Sequence, residues 1–307
     1  MSLMLWTGFF AAGIRLGVSI GFAALGEAVS ERAGVLNVGI EGIMLVGAFF
    51  AVLGAVATGS PWGGVVLALA GGAALGALHG FFVITLRSDQ VVCGIGIVIL
   101  GLGLSSFLFR VTLGKGQYSV PAFGGLDLGP LSKLPFVGPV LFSQNILVYV
   151  AIAAAFFLAW LFRLSALGLE WRACGENPTA LAAAGVSVVA RRYQAVILGG
   201  AFAGLGGAYL AIAQINTFVE NMVVGRGFIA IACVVFGRWH PIGVLAAALG
   251  FGLAEAAEIR LQTAYPDVPY QIFVAMPYIL GIVALVALGR SAANPRALGR
   301  SYEGGRE

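Results

Sequence analysis

Long apolar stretches run along almost the whole chain, and the polar breaks between them are short except at residues 110–143 and 163–192. Most of the apolar stretches approach the roughly 20 apolar residues that an α-helix needs to cross a bilayer. The candidate spans cover residues 8–25, 38–57, 62–86, 91–109, 144–162, 193–213, 242–257 and 270–288, and residues 227–236 form a shorter apolar stretch. At a rise of about 1.5 Å per residue the short stretch cannot cross a bilayer, so we expect half of a broken helix there. The pattern predicts an all-α, polytopic helix bundle of about 8–10 membrane segments, some broken or re-entrant.

Composition supports a membrane protein. Hydrophobic residues make up 60% of the 307 residues and charged residues only 10%, whereas soluble domains carry about 25% charged residues. The net charge of +4 lies mostly in loops and in the C-terminal tail, so we interpret it as an orientation signal and expect no nucleic-acid partner. Cys93, Cys174 and Cys233 lack the spacing of metal ligands. We therefore expect no metal site and no cofactor.

Two candidate spans carry glycines at four-residue spacing. Gly72, Gly76 and Gly80 lie in the third span, and Gly200 and Gly204 lie in the sixth. Small residues at this spacing form a flat helix face that lets another backbone come close. The pattern predicts close helix packing at both stripes.

The longest polar interruption in the second half is LEWRACGENPTALAAAG, residues 169–185. Asn177 is a good N-cap and Pro178 suits the first helical position, where no N–H is needed. The following residues are almost all alanine, and Gly185 can end the helix in a left-handed conformation. The sequence predicts a helix of about two turns, which is too short to be stable alone and should dock on another surface.

Three segments resemble a known family. GENPTALAAAGV in this interruption, GEAVSERAGVLNVGIEG at 26–42 and GRGFIAIACVVFGRWHPIG at 225–243 are similar to ABC importer permeases of the branched-chain amino acid, ribose and nucleoside group. The resemblance covers about residues 10–290 and is nearest to the nucleoside or simple-sugar branch. It implies that the short helix is a cytoplasmic coupling helix that sits in a groove of an ATPase subunit. The residues assigned to this contact are Gly175, Glu176, Asn177, Pro178, Thr179, Ala180 and Gly185.

The resemblance also implies an assembly and a mechanism. The family has two permease subunits, often two different chains, two ATP-binding subunits and an external solute-binding protein, and it works by alternating access. The small polar solute would be a nucleoside, with ribose-like sugars or amino acids as alternatives. The chain has no GxxxxGK[ST] phosphate loop. We therefore expect it not to be an enzyme itself, and ATP hydrolysis to occur in a separate subunit.

Polar residues near the apolar segments are candidates for the solute pathway. Asn37 and Glu41 are four residues apart and would share one helix face. An ionisable residue in a span suggests a functional role. Equally, Asn37 could cap the helix, and Glu41 could satisfy backbone groups or Arg32. Gln214 and Asn216 could form a polar gate or lie in an outer loop.

A different class of protein remains possible from the sequence alone. In an ion-coupled secondary transporter or channel, the coupling groups would be Arg15, Glu41, Glu255 and Glu258. Such a protein would transport without an ATPase. An intramembrane enzyme that uses Glu255 and Glu258 would also need a partner base or metal cluster, and none is visible in the sequence.

Basic residues predict the orientation. The coupling loop, residues 164–192, contains Arg172, Arg191 and Arg192 and directly follows Arg163, and the tail, residues 291–307, is also basic. Positively charged loops stay in the cytoplasm, so we expect both segments on the cytoplasmic side of a bacterial plasma (inner) membrane. Residues 1–290 would form one permease domain that lies in the lipid bilayer. The N-terminus should lie outside, unless residues 26–37 are re-entrant.

Overall fold

The computed structural model describes residues 2–114, 119–126, 129–288, 294–302 and 304, most of which are helical. The α-helices in this part of the chain are α1 (Ser2–Arg32), α2 (Ile40–Thr58), α3 (Pro61–Gly80), α4 (Gln90–Thr112), α5 (Ile146–Leu164), α6 (Ala166–Glu176), α7 (Pro178–Ala183), α8 (Val188–Tyr209), α9 (Arg226–Phe236), α10 (Pro241–Ala264) and α11 (Tyr270–Leu288). Short π-helical segments extend α3 and α8. Seven of these helical segments are long and apolar enough to cross a membrane, and α9 is a shorter apolar helix. The predicted polytopic helix bundle is confirmed.

One end of the bundle carries α6 and α7, and we call it the α6–α7 end. The last residue of α1 reaches the end of α9 there, since Arg32 Nε donates to the carbonyl oxygen of Trp239 at 3.2 Å. The start of α4 also lies there, because Gln90 Oε1 accepts from Leu36 N at 2.7 Å. The opposite end, which we call the far end, contains the start of α1 and the end of α10, where Arg260 Nη1 donates to the carbonyl of Leu5 at 2.6 Å. The start of α1 therefore lies at the opposite end of the bundle from α6 and α7, an arrangement that the predicted outside N-terminus requires.

The tail returns to the α6–α7 end. Ala297 N donates to the carbonyl of Gly175 at 2.8 Å, and Arg192 Nη1 donates to the carbonyl of Arg300 at 2.8 Å. Ala297 is buried by this contact. The tail and the predicted coupling loop thus share one face of the molecule, and residues 294–302 pack on the bundle.

The two glycine stripes face each other. A Cβ atom at Gly72 would lie 2.3 Å from the carbonyl oxygen of Gly200, and one at Gly204 would lie 2.3 Å from that of Ala68. Side chains cannot enter such a contact, so the backbones of α3 and α8 touch directly. The predicted close packing is confirmed, and each stripe is the partner of the other.

Helix α1 extends beyond the predicted first span. The sequence placed its end at residue 25, but the helix continues to Arg32 and buries the carboxylates of Glu27 and Glu31. These groups are tolerated because later segments satisfy them: Glu27 accepts from Asn37 N at 2.8 Å and Glu31 accepts from Trp239 Nε1 at 2.5 Å. Because α1 is continuous, residues 26–32 are not a re-entrant segment.

Candidate functional site

Helix α6 forms the base on which α7 is presented. The sequence did not predict this helix, although its start is a local signal: Ser165 Oγ accepts from Gly168 N at 3.0 Å as an N-cap. Trp171 is buried and packs edge-on against Phe162 of α5. An ion pair at 2.5 Å between Glu170 and Arg191 joins α6 to α8. The base of the coupling loop is therefore fixed to two long helices.

Helix α7 has the predicted local structure. Asn177 Oδ1 accepts from Ala180 N at 3.0 Å, and Pro178 occupies the first turn. Gly185, just after the helix, has φ +82°, a left-handed conformation that glycine adopts without strain. The short helix, its cap and its terminating glycine are confirmed.

One face of α7 is anchored and the other is open. Leu181 is buried in a small apolar cluster with Cys174 and Val188. Burial raises the pKa of the Cys174 thiol above its usual range. The open face, which we call the α7 surface, consists of the exposed residues Glu176, Asn177, Thr179, Ala180 and Gly185, with Pro178 half-buried beside them.

Gly175 does not belong to this surface. It is buried, and a Cβ atom there would lie 2.2 Å from the carbonyl oxygen of Arg32. The sequence assigned Gly175 to the ATPase contact, whereas the structure uses it to bring α6 against the end of α1. The reason is steric, because no larger residue fits between the two backbones.

Glu41 binds the start of the broken helix α9. Its two carboxylate oxygens accept from Gly225 N at 2.7 Å and from Gly227 N at 2.8 Å. These N–H groups have no partner within α9, and a carboxylate at a helix N-terminus also interacts favourably with the helix dipole. Of the alternatives that the sequence left open, the structure shows Glu41 satisfying backbone groups.

Asn37 lies outside α2, which begins at Ile40. The predicted shared helix face with Glu41 is therefore wrong. Asn37 is buried, and its Oδ1 accepts from Gly39 N at 3.0 Å, a local bond that shapes the turn between α1 and α2. Its backbone N–H is the donor to Glu27.

Gln214 and Asn216 follow the far end of α8. Gln214 ends the π-helical segment and Asn216 is exposed with φ +61°. The same loop is fastened to α4, since Arg110 binds both oxygens of Glu220 at 2.8 and 2.9 Å. This contact holds the pKa of Glu220 below its usual range. The four predicted pathway residues are not gathered at one place, because Asn37 lies near the α6–α7 end.

A cavity with ionisable residues in its lining, open at the surface where Val224 and Tyr278 are exposed, was missed by the sequence analysis. It has a volume of about 210 Å³ and lies between α9, α10 and α11. Arg226, at the start of α9, forms a largely buried ion pair with Glu255 of α10, and Glu258 lies one turn further along α10. We call Arg226, Glu255 and Glu258 the polar recess. In the sequence, Glu255 and Glu258 are visible as two carboxylates three residues apart. Their pairing with a basic residue is not visible, because Arg226 lies 29 residues before Glu255.

Comparison with known proteins finds relatives that match most of the chain. The chain is 38% identical over 291 residues to the guanosine ABC transporter permease protein NupQ of Bacillus subtilis, covering 91% of each protein. It is 34% identical to the nucleoside ABC transporter permease protein NupC of Lactococcus lactis, covering 92% of each. It is also 40% identical to TsgC13 of Haloferax volcanii, provisionally named a glucose ABC transporter permease, covering 83% of this chain and 78% of that protein.

The fold is similar to that of a solved structure. The match is an inward-facing conformation of a protein provisionally described as a metal-chelate type ABC transporter, with a TM-score of 0.52 and 17% identity, covering 90% of this chain and 85% of the other. At this identity the likeness concerns the fold alone. The family model described as the permease component of the branched-chain amino acid transport system matches residues 9–287. The chain is a multi-pass membrane protein and belongs to this permease family.

Proposed function

We propose that the chain is one permease subunit of a bacterial ABC importer that takes up nucleosides. The observation that carries this proposal is the similarity, at 38% and 34% identity over nine-tenths of the chain, to two permeases named for guanosine and nucleoside transport. The 40% identical relative named for glucose makes a simple sugar the second candidate substrate. Both are neutral polar solutes with ribose or hexose hydroxyls.

The α7 surface supports the proposed ATPase partner. It is a capped helix of small residues, anchored by one leucine and exposed on the other side, at the end of the bundle that also holds the tail. Small side chains let a helix enter a groove closely. In this proposal an ATP-binding subunit docks on the α7 surface from the cytoplasm, and its closure moves the long helices attached to α6.

The polar recess supports a solute route beside α9. Ionisable groups inside a membrane bundle are costly and mark routes for solutes or ions. The Glu258 carboxylate can accept hydrogen bonds from hydroxyl or amide groups, while Arg226 is held by Glu255. A second permease chain and an external solute-binding protein complete the proposed importer.

Reconstitution into proteoliposomes tests the substrate and the energy source together. The chain is assembled with its partner permease, ATPase and binding protein, and uptake of labelled guanosine and labelled glucose is measured with and without internal ATP. We expect ATP-dependent guanosine uptake and little glucose uptake. The reverse preference would show that the importer takes up simple sugars. Uptake by the chain alone without ATP would show that it is a secondary transporter or channel.

A further inference from the structure

A second cavity, of about 200 Å³, opens at the α6–α7 end and is rich in arginine. The residues that line it are Arg32, Ala159, Phe162, Arg163, Arg172, Trp239, His240 and Pro241. Three of these described residues are arginines and none is acidic. The cavity lies where α1 and α5 end and α10 begins, at the boundary of three apolar spans. We call it the arginine cavity.

Two of the arginines are oriented by backbone carbonyls. Arg32 Nε and Nη2 donate to the carbonyls of Trp239 and Arg238 at 3.2 and 3.3 Å, and Arg172 Nη1 donates to the carbonyl of Phe162 at 3.4 Å. A guanidinium has five N–H donors, so these bonds engage only part of each group.

The charges around the arginine cavity leave it positive. Arg172 and Glu176 act on Arg32 through their charges, and Glu31 is bound by the indole N–H of Trp239. Arg238 adds a further positive charge in the turn between α9 and α10. An anion is therefore the ligand that these side chains favour.

An exposed aromatic stripe leads to the cavity along the outer face of α5. Phe156, Trp160 and Arg163 are spaced four and three residues apart and share one helix face. Phe156 is 59% exposed and Trp160 is 54% exposed. Aromatic side chains followed by a basic residue at a helix end are typical of the boundary between acyl chains and headgroups.

We infer that the arginine cavity binds the phosphate headgroup of an anionic phospholipid, whose acyl chain lies along Phe156 and Trp160. Arginine forks bind phosphate oxygens in pairs, and basic pockets between membrane helices on the cytoplasmic side hold anionic headgroups. Free phosphate has the same headgroup chemistry, but only a lipid explains the aromatic stripe. The bound lipid would connect α1, α5, α6 and α10 beside the α7 surface.

Native mass spectrometry of the full purified chain, titrated with phosphatidylglycerol or phosphatidylcholine, tests this inference. We expect phosphatidylglycerol to bind preferentially and its affinity to fall about fivefold for each arginine removed, in Arg163→Gln and in Arg163→Gln with Arg172→Gln. Arg296→Gln, which removes an exposed charge from the tail on the same face, is the control and should bind normally. Because Arg163 is exposed, the single variant should fold even if the double variant does not.

Two results would overturn the inference. Equal phosphatidylglycerol binding by Arg163→Gln and the parent chain would show that the arginine cavity is not the binding site. Equal binding of phosphatidylcholine, or displacement of the lipid by inorganic phosphate at similar concentration, would show that the site does not select an anionic lipid.

Discussion

At the scale of single residues, Glu41 holds the start of α9 inside the bundle. Both of its oxygens accept backbone N–H groups at the start of that helix, from Gly225 just before it and Gly227 within it, and the side chain is buried. Glu41→Gln keeps one acceptor but removes the charge that faces the helix N-terminus. We expect the free energy of unfolding to fall by about 2 kcal/mol and solute uptake to decrease. Thermal unfolding of the purified chain and uptake in liposomes measure the two effects.

Glu220→Gln is the matched control for this substitution. It removes a carboxylate that also binds a partner, but the pair with Arg110 is exposed at the far end, and exposed pairs contribute little to stability. We expect no measurable change in unfolding. If Glu41→Gln altered uptake while unfolding stayed normal, Glu41 would act on the solute pathway and not on the position of α9.

The sequence predicts the role of a residue with a nearby partner, such as Asn177, better than that of a residue with a distant partner, such as Glu41. Asn177 was predicted correctly as a cap because its partner, Ala180, is only three residues away. The role of Glu41 could not be chosen from the sequence, since the N–H groups it binds are more than 180 residues away. Its unusual position in an apolar segment was visible, but the identity of its partner depends on the packing of α2 against α9.

At the scale of the helix, the cap of α7 offers a direct test of the ATPase contact. Asn177→Ala removes the acceptor for Ala180 N and should destabilise α7 by about 1 kcal/mol. Because α7 has only six residues, we expect it to fray and ATP-driven uptake to fall strongly, while binding of the external solute-binding protein stays normal. Uptake and binding-protein affinity are measured in parallel in proteoliposomes.

Ser187→Ala provides the comparison on the neighbouring helix. Ser187 Oγ caps α8 through Ala190 N, but α8 is long and packed on α1, α2 and α3. Its loss should leave uptake close to that of the parent chain. Normal ATP-driven uptake by Asn177→Ala would contradict the assignment of α7 as the coupling helix.

The contact between α3 and α8 predicts a large packing effect. Gly204→Leu would place a side chain where even a Cβ atom lies 2.3 Å from a backbone oxygen, so the helices must separate. We expect the free energy of unfolding to fall by about 3 kcal/mol and the recovery of monodisperse protein to be poor. Gly103→Leu on α4, where a Cβ atom meets no described atom within 4 Å, should purify normally. Equal recovery of both variants in size-exclusion chromatography would exclude this packing role.

The glycine stripes also show which features of helix packing can be predicted from the sequence. Spacing alone predicted two flat faces, because helical periodicity is local. That the faces meet each other depends on the arrangement of whole helices, which spacing does not encode. The end of α1 was misplaced for a related reason. Glu27 and Glu31 look like a polar boundary in the sequence, but the turn after α1 and Trp239, in the turn between α9 and α10, satisfy them.

At the scale of the whole molecule, positive charge is unevenly divided between the two ends. The α6–α7 end carries Arg163, Arg172, Arg191 and Arg192 together with Arg296 and Arg300 of the tail. The far end, over the described residues, carries Arg110, Lys133 and Arg260. From the positive-inside rule we propose that the α6–α7 end faces the cytoplasm, and that the start of α1 and the loop at 119–126 face outward.

Cysteine labelling of intact cells tests this orientation. Ala180→Cys lies on the α7 surface, and Gly124→Cys lies in the far-end loop, where a Cβ atom meets no described atom within 4 Å. We expect a membrane-impermeant maleimide to label Gly124→Cys in intact cells and Ala180→Cys only after permeabilisation. The native Cys174 should contribute little background, because it is buried and its raised pKa keeps the thiol protonated near pH 7. Labelling of Ala180→Cys in intact cells would show that the α7 surface faces outward, where no cytoplasmic ATPase can bind it. Protection of Ala180→Cys from labelling by ATPase added to permeabilised cells would support both the orientation and the docking of the ATPase on the α7 surface.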